Sequence, residues 1–455
     1  MRKILLTLLL SSFALSLFAQ EDSVLKKFKF RINRYRAISI NFDGGSQFSR
    51  AQLGSGKNTN QSSNASTGAS FYQTTSTDKI LLTMSGTLGT GFNFSKSESP
   101  SSIYKNSGYS LNPRFTVRNK WFSRKFFTEL GADAYVGINS SKYTQNIPGS
   151  NQKSNRGYQA ASVTAGIGKG RLENITDMQN ALWLNKALEK EGSLSRSLSS
   201  SELNDLGRTI TSSNNTRVLD TRKRIQFILE TIDNYFQQKG LISKTDIKYF
   251  SNLNDIVFFA INNPRLSGTE IFARVTPAIN DQHQKSTEKI ADIKNTEDIS
   301  TKSVGLSIGW NKYIPLNLEH QNNFGVAGQL TYLSHHYNQK DFVAGVITNE
   351  LDFSPDIKQA GINAFFEHAI YPNTRTTASF KLDGQVGYMD TGGYDGFFEA
   401  ANLSGTLNYF ISYRTRFIAN LGLSYQNNLY NVSSYLSLEP ERLSFFANAG
   451  LQVNL

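Results

Sequence analysis

The sequence contains no cysteine and few of the residues that carry metal or redox chemistry. Its 455 residues include no Cys, 5 His, 4 Met and 3 Trp. Without cysteine the chain forms no disulfide, offers no thiolate nucleophile and carries no lipid on an N-terminal cysteine. Beyond its N-terminal segment it also lacks any uninterrupted apolar run of about twenty residues, which excludes an α-helical membrane protein.

The composition is instead rich in residues that suit strands. The chain has 34 Gly, 31 Phe and 20 Tyr, although only 38% of its residues are hydrophobic. A polar average is compatible with a membrane β-barrel, because such strands place apolar side chains at alternate positions only. Soluble β-sandwich arrays share this composition, so composition alone does not decide between the two classes.

The N-terminus has the pattern of a secretory signal peptide. Arg2 and Lys3 precede an apolar stretch over 4–17, and Ala19 stands before Gln20. This pattern predicts a signal peptide over 1–19. A basic N-terminal leader over 20–33 follows. We interpret it as a solvated lead-in to the first strand; the alternative is a tail on the inner leaflet or inside a barrel mouth.

The charge balance points to anionic partners. Lys and Arg number 48 against 36 Asp and Glu, a formal charge of +12, or +10 without Arg2 and Lys3. Such a basic chain usually meets polyanions. For an exported barrel the anions at hand are outer-membrane lipid phosphates and surface glycolipid, so these are the predicted partners, and nucleic acid is not.

Strand periodicity is clearest at the C-terminus. From 445 to 455 apolar residues occupy one side and mostly polar residues the other, over about the length that crosses a bilayer. Similar alternation recurs over 82–94, 130–138, 304–310, 380–388 and 417–425. These runs predict an all-β transmembrane fold, an antiparallel up-and-down outer-membrane β-barrel of about 14 strands whose first and last strands pair.

The connections between the predicted strands alternate in length. The odd ones are long or rich in Asn, Ser and Gly, at 49–65, 97–106, 142–155, 338–357 and 431–442, whereas 75–78, 371–375 and 414–415 are tight. Outer-membrane barrels carry long external loops and short periplasmic turns. This parity assigns the even connections to the periplasmic side.

One even connection is a helical insertion over 169–268, between barrel halves at 34–168 and 269–455. Four apolar stripes of helical period predict four helices around a small core. Thr176 with Gln179, and Ser199 with Glu202, predict capping boxes, and Asp220 predicts a third helix start. Gly192 and Gly240 predict helix ends. By parity the insertion is periplasmic.

Few residues suggest chemistry, and the sequence predicts no catalytic site, no metal site and no cofactor. His283 beside Asp281 is the best candidate for a surface hydrolase, but we interpret it as a solvated loop histidine. Charged positions on the polar side of the strands predict a lumen that either selects solutes or is plugged by ion pairs. The predicted lumen-lining residues are Glu129, Asp133, Arg274, Glu367, Lys381 and Asp383.

The junction between strand and helices is the one motif-like stretch, Gly-Ile-Gly-Lys-Gly-Arg-Leu-Glu-Asn-Ile-Thr-Asp over 166–177. Its glycines allow a sharp turn at the barrel rim. Arg171 with Glu173 or Asp177 could lock the helices against the strand ends; the alternative is phosphate or glycan binding at the helix start. The predicted junction residues are Gly168, Gly170, Arg171, Glu173 and Asp177.

With this motif, the order of signal peptide, strands, helical insertion and strands resembles uncharacterised outer-membrane β-barrel proteins of the Bacteroidota. The resemblance implies location and fold but carries no activity. The first functional hypothesis is a porin-like channel or transporter gated or docked by the helices. The second is a structural or assembly protein whose helices recruit a periplasmic protein or peptidoglycan partner. An outer-membrane hydrolase or acyltransferase rests on fold analogy alone, so we expect no enzyme.

Overall fold

A computed structural model describes residues 23–53, 56–99, 102–145, 151–216, 218, 220–259, 264–288, 292–391, 395–412, 415–430 and 441–453. The predicted signal peptide over 1–19 lies outside the described residues. So does nearly all of the predicted loop over 431–442.

The chain forms one antiparallel sheet in which almost every strand pairs with its neighbours in sequence. This confirms the predicted fold class, an antiparallel up-and-down sheet with an α-helical insertion. The strands are β1 Ile32–Leu53, β2 Gly56–Ser76, β3 Ile80–Ser99, β4 Ser102–Ser123, β5 Phe126–Gln145, β6 Gln152–Asn174, β7 Leu266–Glu288, β8 Ile293–Pro315, β9 His320–Val343, β10 Val346–Phe353, β11 Asp356–Asn373, β12 Thr376–Asp390, β13 Asp395–Phe410, β14 Thr415–Tyr430 and β15 Glu441–Val453.

The two faces of the sheet differ in polarity. On β5, Phe126 and Leu130 are exposed, whereas Phe127 and Glu129 on the opposite face are buried. Side chains alternate between faces along a strand, so the pairing register carries this division across the sheet. We call the face of Leu130 the outer face and the face of Glu129 the inner face. Exposed apolar residues on the outer face include Ile40, Phe42, Leu88, Phe92, Leu306, Ile308, Leu330, Ile362, Phe380 and Leu421.

The predicted long loops are mostly strand, and this prediction was wrong. β1 and β2 pair as far as Leu53 and Gly56, within the predicted loop over 49–65, and β3 and β4 pair as far as Ser99 and Ser102. The ladder consists of backbone hydrogen bonds, so it continues where both faces are polar and the alternating apolar signal has ended. β1 to β9 are therefore 20 to 24 residues long, about twice what crosses a bilayer.

The described residues form fifteen strands, in agreement with the predicted count of about fourteen. β10 pairs with residues 337–343 of β9, and β11 pairs with residues 320–334 along the same edge. The two form one interrupted strand. The break falls at Ser354 and Pro355, where the proline has no N–H to donate to the ladder.

The first and last strands lie at the two ends of the strand order. Within 32–53 and 441–453 no ladder joins β1 to β15, and each pairs on one side only, with β2 or β14. The predicted pairing of first and last strands is therefore not seen in these ranges.

The helices form a separate small core. They are α1 Ser23–Lys27, α2 Thr176–Lys190, α3 Ser200–Asn215, α4 Thr221–Gln238 and α5 Ile247–Phe259, and we call α2 to α5 the helical module. None of the described helices is both long and apolar enough to cross a membrane. β6 continues to Asn174 and β7 begins at Leu266, so the predicted insertion over 169–268 includes strand residues at both ends.

Two local predictions about helix starts had different outcomes. The capping box of Ser199 and Glu202 at α3 is confirmed, with both reciprocal bonds present. The box predicted for Thr176 and Gln179 is wrong, because α2 begins after Ile175 without a side-chain cap. Thr176 Oγ1 instead accepts a bond from the backbone N–H of Arg265. Gly192 and Gly240 end α2 and α4 at φ +67° and +62°, as predicted.

The leader is part of the helical core, so its interpretation as a solvated lead-in was wrong. Leu25 and Phe28 are fully buried in the same cluster as Met178, Leu206 and Phe236. The absence of a side chain at Gly207 of α3 admits the Phe28 ring, which lies 2.9 Å from where a Cβ would be. The prediction failed because it was based on the net charge of the leader and took no account of these two apolar residues among the basic ones.

Candidate functional site at the junction of sheet and helices

An ion-pair cluster joins the leader to the end of β6. Arg31 donates two bonds to the Glu173 carboxylate, at 2.8 and 3.0 Å, and a third to Asp78 at 2.7 Å. Arg171 Nε lies 3.2 Å from the same Glu173. The Arg31 guanidinium holds the pKa of exposed Asp78 below its usual range. Arg31 was not among the predicted site residues, because no local pattern distinguishes it from the other five basic residues over 26–36.

Arg171 also reaches the turn after β2. Its Nη1 donates to the Thr77 carbonyl at 2.6 Å and its Nη2 to Ser76 Oγ at 3.0 Å, while its guanidinium lies over the Phe122 ring. β2 lies four strands from β6 in the sheet. A side chain bridges that separation only if the sheet curls strongly toward its inner face, because neighbouring strands are about 4.8 Å apart.

Glycines let β6 and β7 approach closely at this end. Gly170 and Gly268 adopt φ of +96° and +121°, and a Cβ at either would lie 2.0 or 2.4 Å from a carbonyl oxygen of the opposite strand. At Gly168 the Phe127 ring fills the missing side chain's place. These positions require glycine for conformation and space.

Arg265, just before β7, is fully buried. Its guanidinium donates to Gln321 and to the backbone carbonyls of Asn317, Leu318 and His320 at 2.6–2.9 Å. It thereby fixes the β8–β9 turn to the base of the module. Arg265 was not predicted as a site residue, since a single arginine after a proline forms no recognisable sequence motif.

Asp177 is a buried acid inside the module and does not take part in the junction cluster. It accepts bonds from Thr211 Oγ1 at 2.6 Å and Asn214 Nδ2 at 3.3 Å, which tie α2 to α3. Burial raises the pKa of Asp177 to about 6, although these two hydrogen bonds oppose the shift. Of the two acids considered for Arg171, Glu173 is the one that it contacts.

Further contacts attach the module to distant strands at the same end. Lys186 of α2 lies 3.2 Å from Glu319 in the β8–β9 turn, and Arg375 in the β11–β12 turn pairs with Asp255 of α5 at 2.8 Å. The Phe259 ring packs against Phe410 at the end of β13. With Leu25 and Phe28 of the leader buried in its core just before β1, the module is attached from the start of β1 to the end of β13 and so extends across one end of the curled sheet.

A charged network lines the inner face above the junction. Glu129 and Arg274 pair at 2.9 Å, Lys120 and Glu270 pair at 2.6 Å, and Arg118 Nε lies 3.4 Å from Glu129. Glu129 has no exposed side-chain surface. Two of the six predicted lumen residues are therefore direct partners, across β5, β6 and β7.

The other four predicted lumen residues lie apart from this network. Asp133 lies 3.2 Å from Arg114. Lys381 and Asp383 of β12 pair with each other at 2.6 Å, and Glu367 of β11 accepts a bond from Asn323 at 2.8 Å. Five of the six form ion pairs and Glu367 has a neutral amide partner, so the inner face carries mixed charge that is mostly paired.

The histidines do not form a catalytic arrangement among the described residues. His283 pairs with Asp298 rather than with Asp281, which accepts a bond from Ser300. His336 Nδ1 faces both Ser354 Oγ, at 2.8 Å, and Asp352, at 3.6 Å. A hydrolytic relay needs the acid and the nucleophile on different ring nitrogens. His335 faces Thr301 instead.

Comparison with known proteins finds structural likeness only. No family model matches the chain, and no curated protein matches it. The translocator domain of the autotransporter NalP from Neisseria meningitidis is similar at TM-score 0.27 and 10% identity, over 83% of this chain and 89% of that one. The transport unit of the autotransporter AIDA-I from Escherichia coli is similar at TM-score 0.27 and 11% identity, over 87% and 94%.

The ferric yersiniabactin uptake receptor FyuA from Yersinia pestis is similar at TM-score 0.30 and 6% identity, over 87% of this chain and 61% of that one. TM-scores this low give no residue correspondence. The chemistry of the junction therefore rests on this chain's own contacts.

Proposed function

We propose that this chain is an outer-membrane β-barrel that acts as a channel or transporter, with the helical module covering its periplasmic mouth. The observation that carries the proposal is the set of attachments from Phe28, just before β1, to Phe410 at the end of β13. Contacts at only one hinge would leave the module hanging free. Contacts spread around one end place it in the path of any solute entering there.

The polarity of the two faces supports the membrane part of the proposal. Exposed aliphatic and aromatic side chains such as Leu130 and Phe380 lie on the outer face, where acyl chains would cover them. The inner face carries Glu129, Arg274 and Lys120, which suit a watery interior. Locally balanced charge there favours polar solutes of low net charge over strongly charged ones.

The half-buried pair between Arg375 and Asp255 offers a test of gating. Recordings from planar bilayers should show low conductance for the wild type and more frequent opening for Asp255→Arg, which sets two cations against each other at one attachment. The double variant Asp255→Arg with Arg375→Asp restores an opposite-charge pair and should return the wild-type record. Lys190→Gln, at an exposed position of α2, serves as the matched control.

A second variant guards against a folding failure. In it a short Gly-Ser linker replaces residues 175–264, and heat-modifiable migration on gels reports whether the barrel has folded. A folded variant without the module that conducts no ions would overturn the channel proposal. Conductance equal to that of the wild type would instead overturn the role of the module as a cover.

A second function, structural or assembly, is favoured by one observation on α5. Ile247 is 86% exposed and Phe250 is 50% exposed on the module surface. A periplasmic protein or peptidoglycan-associated partner would cover them. Crosslinking of the full-length protein in cells should then yield a defined adduct that Ile247→Ser reduces and Lys190→Gln preserves. Neither function assigns a catalytic activity to the chain.

A further inference from the structure

A cleft of about 580 Å³ lies between the leader with the start of β1 and the C-terminal part of α3. Every charged side chain in its lining is basic: Lys29, Arg31 and Arg34 come from the leader and β1, and Arg208 comes from α3. Hydroxyl and amide groups of α3, including Ser212 and Asn215, line the rest of the α3 side. The cleft is thus a polar, positively charged space at the seam between sheet and module.

Three of these cations form no salt bridge within the described part of the chain. Arg31 is occupied by Glu173 and Asp78. Lys29, Arg34 and Arg208 are all exposed, and none makes a salt bridge or hydrogen bond to another described residue. Three like charges line one cleft, and Asp78, which is paired with Arg31 and also interacts with Lys29, compensates them only in part.

The negative charges nearby are too small to cancel them. The C-terminal end of α3 contributes about half an elementary negative charge, which a cation there would normally offset. Asp177 lies behind Thr211 and adds at most one more charge when it is ionised. The cleft therefore keeps a net positive charge at neutral pH.

We infer that this cleft binds a phosphate group. A tetrahedral oxyanion presents several acceptor oxygens, and the cleft offers donors of three kinds: the guanidinium groups of Arg34 and Arg208, the ammonium group of Lys29, and the Ser212 hydroxyl. A membrane-lipid headgroup and a soluble phosphate compound both present these oxygens. Either would tie α3 to β1, because the cations come from both.

Calorimetry on the purified full-length protein tests the site directly. At low salt in detergent, the probes are inorganic phosphate and pyrophosphate. In a second arm the protein is placed in nanodiscs of phosphatidylcholine, with or without phosphatidylglycerol, and its thermal midpoint is measured. Arg208→Gln and Arg34→Gln should each weaken binding by about tenfold or more, as expected for the loss of one charge-assisted bond.

The control is Lys190→Gln, a cation outside the cleft lining, which should bind as the wild type does. The cleft arginines are exposed and unpaired among the described residues, so their variants should fold normally and keep the ligand-free midpoint. Binding of the soluble probes assigns the site to soluble phosphate compounds. Stabilisation by phosphatidylglycerol alone, lost in both variants, assigns it to a lipid headgroup.

Either result supports the phosphate site. Failure of all probes, or variants that bind as tightly as the wild type, would overturn it. The measurement needs only the folded protein. A barrel that never conducts would therefore leave the inference standing, and an absent phosphate site would leave the channel proposal standing.

Discussion

At the residue scale, the junction depends on side chains whose roles come from burial and close approach. Only glycine fits at positions 170 and 268, because a Cβ atom there would lie 2.0 and 2.4 Å from backbone atoms of the opposite strand. Arg265 is buried, and its guanidinium donates to the Gln321 amide oxygen and to the carbonyl oxygens of Asn317 and His320. Asp177 is buried with two neutral donors, which leaves its charge only partly compensated.

The burial of Asp177 makes the stability of the module depend on pH. The pKa of Asp177 is raised to about 6 in the folded chain from an ordinary 3.8. Between these two pH values the carboxyl group is mostly protonated in the folded state and mostly ionised in the unfolded state. This contribution to stability is present at pH 4 and is lost as the pH rises to 6, by up to about 3 kcal/mol.

We therefore expect Asp177→Asn to stabilise the module relative to the wild type at pH 7.5 and to bring less benefit, or none, at pH 4.5. Urea unfolding followed by the helical circular dichroism signal measures this difference. Glu230→Gln, at an exposed position of α4, is the control and should show no such pH dependence. Equal effects of Asp177→Asn at both pH values would contradict the assignment.

At the scale of elements, the leader is the piece that joins the two parts of the molecule. Its Leu25 and Phe28 side chains pack into the helical core, and its Arg31 side chain bonds Glu173 at the end of β6. β1 begins at the next residue. The leader thus links the helical core to the end of β6 and to the start of β1.

Removing the Phe28 ring should release the leader. Phe28→Ala leaves a cavity in the helical core, and such truncations of buried aromatics cost about 3–5 kcal/mol. We expect the segment around Lys26 and Lys27 to become sensitive to limited trypsin digestion while the barrel stays intact on a gel. Phe48→Ala, at a position 68% exposed on β1, is the matched control and should remain resistant. Unchanged resistance of Phe28→Ala would show that the leader is held by other contacts.

At the scale of the whole molecule, the seam between β1 and β15 decides whether the sheet closes on itself. A row of unpaired N–H and C=O groups facing hydrocarbon costs several kcal/mol for each group, so a spanning sheet is expected to close on itself. The curl that brings Arg171 to Thr77 shows that the sheet bends in the required sense.

The absence of cysteine from the chain makes closure in the membrane directly measurable. Ile40→Cys on β1 combined with Ala449→Cys on β15 should be joined by a short bis-maleimide in outer-membrane vesicles. Ala419→Cys with Ala449→Cys, a pair directly opposite in the β14–β15 ladder, is the positive control. The experiment is repeated with Ile38→Cys or Phe42→Cys in place of Ile40→Cys, each combined with Ala449→Cys. If only the control pair is crosslinked in all three cases, the seam is open.

The sequence by itself determined the antiparallel up-and-down sheet and the place of the helical insertion, and it narrowed the acidic partner of Arg171 to Glu173 or Asp177. Alternating apolar residues and helical stripes are local signals, and they record which side of each element faces away from water. The same signals failed over 49–65 and 338–357, where polar strands pair through backbone bonds that leave no mark on side-chain pattern.

Only the tertiary structure decided which distant residues meet. Phe28 in the core, Arg265 under the β8–β9 turn, Arg375 against Asp255 and the basic cleft at Arg208 all join residues far apart in the chain. Such contacts depend on the curl of the sheet and the position of the module. Both arise from the packing of many elements together, so no single stretch of sequence records them.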